Sequence, residues 1–163
     1  VHLSPIDILP IIEEAISSVK LQADARQITI QLETNESLPL VNTERQSLIQ
    51  VLLNLLSNAI KFSNPQSSIL IKIYQEGQSV VIAVQDHGIG IPAQDLPHIA
   101  TRFYRSKNAT QMEIQGTGIG LYIVNEIMQR LHGRMKIDSI EKQGTTVTIL
   151  LPLKTDGDHD ELV

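Results

Sequence analysis

Apolar residues recur at helical spacing in three long segments of the chain, which predicts three amphipathic helices. The second of these begins near Thr43 and Gln46, whose spacing matches a capping box. A shorter helix is expected near Asp95–Thr101, after Pro92 interrupts the preceding segment. The long helices are expected from Ile8 to about Ala25, from the capping box to about Phe62, and over Thr117–Leu131.

Elsewhere apolar and polar residues alternate, which predicts strands, with tight turns at Gly77 and Gly144. The strands are expected at Ile28–Leu32, Ser68–Gln75, Ser79–Gln85, Arg134–Ile140 and Thr145–Leu151. Because the helices are segregated from strands that mostly form hairpins, the expected fold class is α+β. The expected architecture is a two-layer α/β sandwich whose mixed, mainly antiparallel sheet is covered on one face by about three helices. We expect one domain over residues 1–155 and an acidic, disordered tail over residues 156–163.

The composition is that of an ordinary globular domain, with 42% hydrophobic and 19% charged residues among 163. The net charge of -5 argues against a nucleic-acid partner. No apolar run reaches the roughly 18 to 20 residues of a membrane helix, so no membrane segment is expected in this chain. The absence of cysteine excludes disulfides and thiolate metal sites and is compatible with a reducing cytoplasm. Because the first residue is Val1 rather than Met, we expect a cut from a longer protein.

The second predicted helix carries a polar face, although nearly every other side chain from Leu48 to Ile60 is apolar. Such a face is either solvated surface or the floor of a pocket. Solvated faces usually carry Lys and Glu, which form helices better than Asn does. In a pocket, an Asn amide oxygen can ligate Mg²⁺, and a Lys can meet a phosphate as a point charge. The polar face consists of Ser47, Gln50, Asn54, Ser57, Asn58 and Lys61.

A glycine-containing loop, residues 86–92, follows an apolar strand. Gly88 and Gly90 allow the backbone to turn sharply and a flat ligand to approach closely. The Asp86 carboxylate only accepts hydrogen bonds, so it can accept from the 6-amino group of adenine and would repel the carbonyl of guanine. The alternative is an Asp-Gly turn without a ligand. A dinucleotide-binding fingerprint is excluded because Pro92 stands where its helix should begin.

A second glycine-rich run opens the third predicted helix. Free backbone N–H groups and the positive end of the helix dipole there suit a phosphate. The alternative is a glycine-rich hinge, because the run lacks the Gly-Lys-Ser/Thr ending of a P-loop and follows a polar loop rather than a strand. The run is Gly116-Thr117-Gly118-Ile119-Gly120-Leu121.

The polar stretch Tyr104–Gln115 has no hydrophobic pattern, which predicts a mobile loop. Phe103 can anchor the start of this loop in the core while Arg105 reaches the phosphates. A solvated basic loop, with Arg102 and Lys107 beside it, is the alternative.

Taken in order, these four elements resemble the N, G1, F and G2 boxes of sensor histidine kinases, and the similarity runs over residues 3–153. The resemblance implies the nucleotide-binding fold shared with type II topoisomerases, heat-shock chaperone ATPases and mismatch-repair ATPases, with ATP and Mg²⁺ as cofactors. It places Mg²⁺ on Asn58 with Asn54 nearby, adenine on Asp86, and the triphosphate under a lid of residues 104–116. The F box departs from the family because residues 99–102 lack its common acidic residue.

The resemblance also assigns the remaining site residues. Lys61 and Arg105 are expected to be catalytic, together with the two Asn residues. The nucleotide is expected to contact Gly88, Gly90, Tyr104, Gly116, Thr117, Gly118, Gly120 and Leu121 in addition to Asp86.

Position 54 separates two activities under this resemblance. In the related ATPases a Glu one turn before the metal-binding Asn activates water, whereas this chain has Asn54. An amide is not a useful base, so water attack loses roughly 10²–10⁴-fold in rate and the γ-phosphate is kept for another nucleophile. Phosphoryl transfer needs mainly positioning and charge stabilisation.

The phosphoacceptor histidine is expected outside this chain, because no histidine here resembles the family's His-Glu-Leu-Arg helix. The resemblance implies a phosphoacceptor hairpin of the same full-length protein, in a homodimer, and a downstream response regulator. A cytoplasmic location is expected, with any membrane anchor elsewhere in the full-length protein. The alternatives are an ATP-hydrolysing conformational clamp, an anti-sigma-factor-type serine kinase and a non-catalytic nucleotide sensor. The histidines are His2, His87, His98, His132 and His159.

Overall fold

The computed structural model describes residues 2–34, 37–100 and 120–154. The strands in these ranges are β1 (Ser4–Ile6), β2 (Thr29–Thr34), β3 (Val41–Thr43), β4 (Ser68–Glu76), β5 (Ser79–Gln85), β6 (Arg134–Ile140) and β7 (Gly144–Pro152). The α-helices are α1 (Leu9–Ser18), α2 (Lys20–Ala25), α3 (Arg45–Phe62) and α4 (Gly120–Arg130). The short helix expected after Pro92 is a single 3-10 turn at Leu96–His98.

Five strands form one sheet in the order β2-β4-β5-β7-β6, with β2 parallel to β4 and the other neighbours antiparallel. Helix α3 packs between α1 and α4 on one face of this sheet. The core lies between the two layers, where Leu52 and Leu56 of α3 meet Ile71 and Ile82 of the strands. Complete burial of such side chains contributes about 1.5–3 kcal/mol each. The predicted two-layer sandwich is therefore confirmed.

Two local expectations are wrong. The first helix is interrupted at Val19, whose backbone (φ -103, ψ 5) leaves the helical region between α1 and α2. The capping box does not form, because Thr43 belongs to β3, pairs with Ser4 of β1 and is fully buried. The N-cap of α3 is Glu44, whose carboxylate accepts a hydrogen bond from the hydroxyl of Ser47 at 2.5 Å.

The hairpin β4–β5 turns at Gly77 and the hairpin β6–β7 ends at Gly144, as the sequence predicts. The third helix is described from Gly120 onward, so its expected beginning at Thr117 lies outside the described residues. The predicted loop over Tyr104–Gln115 and the acidic tail lie outside them as well. No helix in the described ranges is both long and apolar enough to cross a membrane.

Candidate nucleotide site

The loop after β5 is built directly on the end of helix α3. The backbone N–H of Ile89 donates to the carbonyl of Phe62 at 3.2 Å, and Gly88 pairs with Ser63 as an isolated bridge. A Cβ atom on Gly88 would lie 2.0 Å from the Phe62 carbonyl oxygen, closer than atoms can approach. Gly88 is therefore required by contact with the protein's own backbone, whereas the sequence had suggested contact with a ligand.

The same loop is fixed on its other side by the β6–β7 hairpin. Gly90 has a φ of +67, and a Cβ there would lie 2.2 Å from the carbonyl oxygen of Ile140. The N–H of Lys142 donates to the carbonyl of Ile89 at 2.6 Å. Two glycines thus hold the loop between α3 and the hairpin, and the sharp turn expected at Gly90 is present.

Asp86 begins this loop, and its side chain is almost entirely buried, with 8% of its surface exposed. Its Oδ1 accepts hydrogen bonds from the backbone N–H groups of Gly88 and Thr145, both at 3.1 Å. Desolvation by burial raises the pKa of Asp86 to about 6, against the opposing effect of these two N–H groups. Within the described part of the chain, Oδ2 accepts no hydrogen bond, which leaves one carboxylate oxygen available to a ligand donor.

The sequence did not single out the residues that hold Asp86 from the β6–β7 hairpin. The N–H of Asp86 donates to the carbonyl of Thr145 at 2.8 Å, and a Cβ on Gly144 would lie 2.2 Å from the Asp86 carbonyl oxygen. The hydroxyl of Ser139 accepts from the N–H of Ile91 at 2.8 Å. These contacts join residues 48 to 59 positions apart in the chain. The Gly-Thr pair at the start of β7 was the available signal, but sequence alone indicated only a turn there.

The polar face of α3 lies beside the start of α4. A Cβ on Gly120 would lie 3.1 Å from Nδ2 and 3.5 Å from Oδ1 of Asn58, so the two residues are in contact. Asn58 and Asn54 are both half-buried, and the amide nitrogen of Asn54 donates to the carbonyl of Gln50 at 3.1 Å. The structure therefore brings the expected metal-binding helix against the end of the expected phosphate loop.

Two predicted site residues also have ordinary structural explanations. Lys61 lies in the last turn of α3, where a cation is favourable at the negative end of the helix dipole. Leu121 packs against the hydrophobic core. Tyr104, Arg105 and the residues of the Gly116–Gly118 run lie outside the described residues.

Arg26 also contacts the end of α3. One of its terminal nitrogens donates to the carbonyl of Ser63 at 2.5 Å, and its own carbonyl accepts from the N–H of Gln66. A charged donor on the last carbonyls of a helix is favourable, both as a hydrogen bond and through the dipole. The helix end that supports Gly88 is thus also held by Arg26.

The side-chain oxygen of Asn58 is a suitable ligand for a magnesium ion that is bound together with a nucleotide. Mg²⁺ is commonly held by one or two protein oxygens, with the remaining positions taken by phosphates and water. The described residues contain no group of three or more His, Cys, Asp or Glu side chains that could hold a metal ion by themselves. A single amide oxygen at Asn58 could serve as one such protein ligand.

An open groove of about 600 Å³ runs along the first half of α3 and reaches Asn54. Ile49 and Leu53 of α3 and Ile123 of α4 provide its apolar surface, and Glu44 and Gln50 are among its polar residues. The groove does not include Asp86 or Asn58. It therefore covers the first half of the polar face of α3, through Ser47, Gln50 and Asn54, and stops one turn before Asn58.

The sandwich, the buried carboxylate and the Asn-bearing helix are the features expected of a nucleotide-binding domain. The family model for the histidine kinase-, DNA gyrase B- and HSP90-like ATPases matches residues 43–155. The chain belongs to this family.

Its relatives with curated descriptions include sensor histidine kinases. The chain is 38% identical over 122 residues to the sensor histidine kinase WalK of Bacillus subtilis, covering 74% of this chain and 20% of that protein. It is 32% identical over 160 residues to the sensor-like histidine kinase SenX3 of Mycobacterium tuberculosis, covering 98% and 39%. The chain thus spans between a fifth and two fifths of the length of these two relatives.

Among solved structures, the mycobacterial sensor histidine kinase MprB matches with a TM-score of 0.80 and 26% identity, over 94% of this chain and 99% of that chain. The nucleotide-free catalytic domain of the histidine kinase ThkA matches with a TM-score of 0.81 and 25% identity, over 94% and 97%. This chain therefore corresponds in extent to the catalytic domain of such kinases.

Proposed function

We propose that this chain binds Mg-ATP and transfers the γ-phosphate to a histidine carried by a separate helical hairpin. The observation that carries the proposal is the position of two polar side chains, Asp86 and Asn58, relative to α3. Asp86 lies buried beyond the C-terminal end of the helix, and Asn58 contacts Gly120 on its polar face. The first position is suited to the base and the second to the phosphates.

The base is selected at Asp86, where Oδ2 is left to accept from the 6-amino group of adenine. The phosphates are held at Asn58, where the amide oxygen, with Asn54 one turn earlier, would bind Mg²⁺. That ion would neutralise phosphate charge in the transition state. Lys61 and Arg105 would add positive charge, and the run Gly116–Gly120 would add backbone N–H groups. Tyr104, Thr117 and Leu121 are proposed as nucleotide contacts.

In the proposed reaction a nitrogen of the histidine ring attacks the γ-phosphorus. A P–N bond forms, the bond from the γ-phosphorus to the β–γ bridging oxygen breaks, and ADP leaves with the electron pair. Asn54 supports transfer over hydrolysis, because its amide nitrogen already donates to Gln50 and an amide cannot remove a proton from water. The groove that ends at Asn54 provides an apolar surface for the hairpin on this side of α3.

The proposed partners are the phosphoacceptor hairpin of the same full-length protein, acting as a homodimer, and a response regulator that takes the phosphate onward. The proposed location is the cytoplasm. An ATP-hydrolysing clamp and a serine kinase remain the alternatives, and both are distinguished by the product that forms.

The test uses this chain with γ-labelled ATP, alone and with a family-type histidine hairpin supplied in trans. Alone, the chain should bind ATP, release phosphate very slowly and remain unlabelled. With the hairpin, acid-labile label should appear on the hairpin histidine, at low efficiency because the covalent linker and its high effective concentration are missing. A hairpin in which that histidine is replaced by Ala is the matched control.

Acid-stable labelling of a protein side chain would support the serine kinase instead. Rapid phosphate release by the chain alone would support the ATPase clamp and would contradict the role given to Asn54. Labelling of the hairpin that lacks its histidine would show that the transfer is not to that residue.

A further inference from the structure

The hydroxyl of Ser139 has three hydrogen-bond partners beside the buried carboxylate of Asp86. It accepts from the N–H of Ile91 at 2.8 Å, lies 3.0 Å from the carbonyl oxygen of Gly144, and lies 2.8 Å from the hydroxyl of Thr145. A hydroxyl has one proton and two lone pairs. Three partners therefore use its whole capacity.

The direction of each of these hydrogen bonds follows from the chemistry of the partners. An amide N–H can only donate and a carbonyl oxygen can only accept. Ser139 must therefore give its single proton to Gly144 and receive one from Ile91. The remaining lone pair faces Thr145, so the Thr145 hydroxyl must donate its own proton to Ser139.

This assignment determines what Thr145 can offer to a ligand. Its proton is directed at Ser139, so its oxygen has only lone pairs left and can only accept. Thr145 is half-buried, and its backbone N–H donates to Oδ1 of Asp86 at 3.1 Å. Thr145 and Ser139 are opposite each other on adjacent strands, β7 and β6, so their side chains lie on the same face of the sheet.

We infer that Ser139 is a positioning residue for base selection: it holds the Thr145 hydroxyl as a second acceptor beside Asp86, so that the site favours an amino group over a carbonyl at position 6 of a purine. The inference rests on the proposed ATP site. An amino group has two protons and can donate to both acceptors. A 6-carbonyl would face two acceptors and no donor.

The experiment compares ATP with inosine triphosphate, whose base carries a carbonyl at position 6 and, unlike guanine, no 2-amino group. Dissociation constants are measured by calorimetry for the unchanged chain, Ser139→Ala, Thr145→Val and the double variant. In Ser139→Ala the Thr145 hydroxyl is free to rotate and donate to the carbonyl. The affinity for inosine triphosphate relative to ATP should then rise by about 3- to 10-fold over that of the unchanged chain.

The decisive readout is whether the effect of Thr145→Val on the affinity for inosine triphosphate depends on Ser139. In the unchanged background, Thr145→Val should not weaken the binding of inosine triphosphate, because it removes only a repelling acceptor. In the Ser139→Ala background, the same substitution should weaken inosine triphosphate by about 3- to 10-fold, because it removes a donor. A purely structural role of Ser139 would weaken both nucleotides together and would show no such reversal.

Ser139→Cys, which keeps the side-chain volume with a poor hydrogen-bonding group, replaces Ser139→Ala if that variant melts early. Ser79→Ala, at the far end of the same sheet, is the control and should change neither affinity. Failure of the unchanged chain to bind ATP would contradict the proposed function itself. If ATP binds normally but Ser139→Ala weakens both nucleotides equally, or if Thr145→Val has the same effect in both backgrounds, the inference about Ser139 is overturned.

Discussion

The two ends of the candidate site are built in different ways. At the base end, around Asp86, backbones of distant segments approach closely, and side-chain oxygens of Asp86 and Ser139 accept hydrogen bonds from backbone N–H groups. A Cβ on Gly88, Gly90 or Gly144 would lie 2.0–2.2 Å from a carbonyl oxygen of another segment. At the phosphate end, around Asn54 and Asn58, the site consists of half-buried side chains on one helix. Among the described residues, their contacts include a hydrogen bond within α3 and the approach of Gly120.

This difference indicates how the two ends serve the reaction. Under the proposed function, the contacts around Asp86 are already made without a ligand, so selection of the base would cost little reorganisation when a nucleotide binds. The phosphate end presents oxygens and charge on a helix that is itself fixed in the core, and the nucleotide completes it. Substitutions at the base end should therefore change stability and affinity together. Substitutions at the phosphate end should change transfer while leaving the fold intact.

The largest effect is expected at the phosphate end. Asn58→Ala should reduce phosphotransfer to the histidine hairpin by roughly 100-fold or more, because it removes the proposed oxygen ligand of Mg²⁺. Thermal melting should remain close to that of the unchanged chain, since Asn58 is half-buried and faces the site. Asn64→Ala is the control, because Asn64 is exposed and its described hydrogen bonds are made by its backbone.

Near-normal transfer by Asn58→Ala would remove the metal assignment. A large loss of thermal stability would show that Asn58 is a structural residue. The two ends would then not differ in their effect on stability.

The next largest effect is expected at the base end, where substitution of Gly88 should lower the free energy of unfolding. Gly88→Ala places a Cβ 2.0 Å from the Phe62 carbonyl oxygen, so the loop or the helix end must move. We expect the free energy of unfolding to fall by about 2–4 kcal/mol, with weaker ATP binding. Gly77→Ala is the matched control, because Gly77 has a φ of +60 but no atom within 4 Å of its Cβ position. It should cost only about 1 kcal/mol and leave ATP affinity unchanged.

Chemical denaturation and calorimetry would measure both quantities. Equal stability losses in the two alanine variants would mean that the close approach at Gly88 costs no more than the positive φ of Gly77, and would contradict the account given for Gly88.

The helical placement of the proposed phosphate end was predictable from the sequence, because its residues lie on one helix. Helical periodicity places Asn54 and Asn58 on one face, and the structure has them there. The strands and hairpins were predictable for the same reason, since alternation and turn residues are local signals. The sequence also singled out Asp86, because its carboxylate opens a glycine-containing loop directly after an apolar strand, and its role towards the base stays a prediction.

The rest of the base end was not predictable, because it depends on contacts between distant segments. Thr145 holds Asp86 across 59 positions and Ser139 holds Ile91 across 48, and neither shows a local pattern. The capping box failed for a related reason. Thr43 has a suitable side chain and spacing, but pairing with Ser4 buries it in a strand, and tertiary structure prevailed over the local signal.

The smallest effect concerns the charge of Asp86. Burial raises its pKa to about 6, so the carboxyl is mostly ionised at pH 7 and mostly protonated at pH 5. A donor such as the adenine amino group favours the ionised form, so ATP binding should lower this pKa and release a proton near pH 6. The affinity for ATP should therefore be constant above about pH 7 and should fall by about tenfold between pH 7 and pH 5.

The contribution of Asp86 to the stability of the ligand-free chain should have the opposite pH dependence from its contribution to ATP affinity. A carboxyl whose pKa is higher in the folded than in the unfolded state binds its proton more tightly when folded. Its contribution is therefore fully present below the unfolded value of 3.8 and is lost as the pH rises through about 6. Asp86→Asn is the control for both trends, because it keeps the shape, the neighbouring His87 and the titrating phosphates of ATP.

Asp86→Asn should weaken ATP by about 10- to 150-fold at pH 7, and the tenfold dependence on pH should disappear from its profile. Calorimetry in buffers of different ionisation enthalpy would count the protons released on binding. If the two chains show the same pH dependence, the carboxylate does not meet the base. If the unchanged chain instead gains affinity as the pH falls from 7 to 5, the protonated carboxyl is the form that binds, and Asp86 then donates to a ring nitrogen of adenine rather than accepting from its amino group.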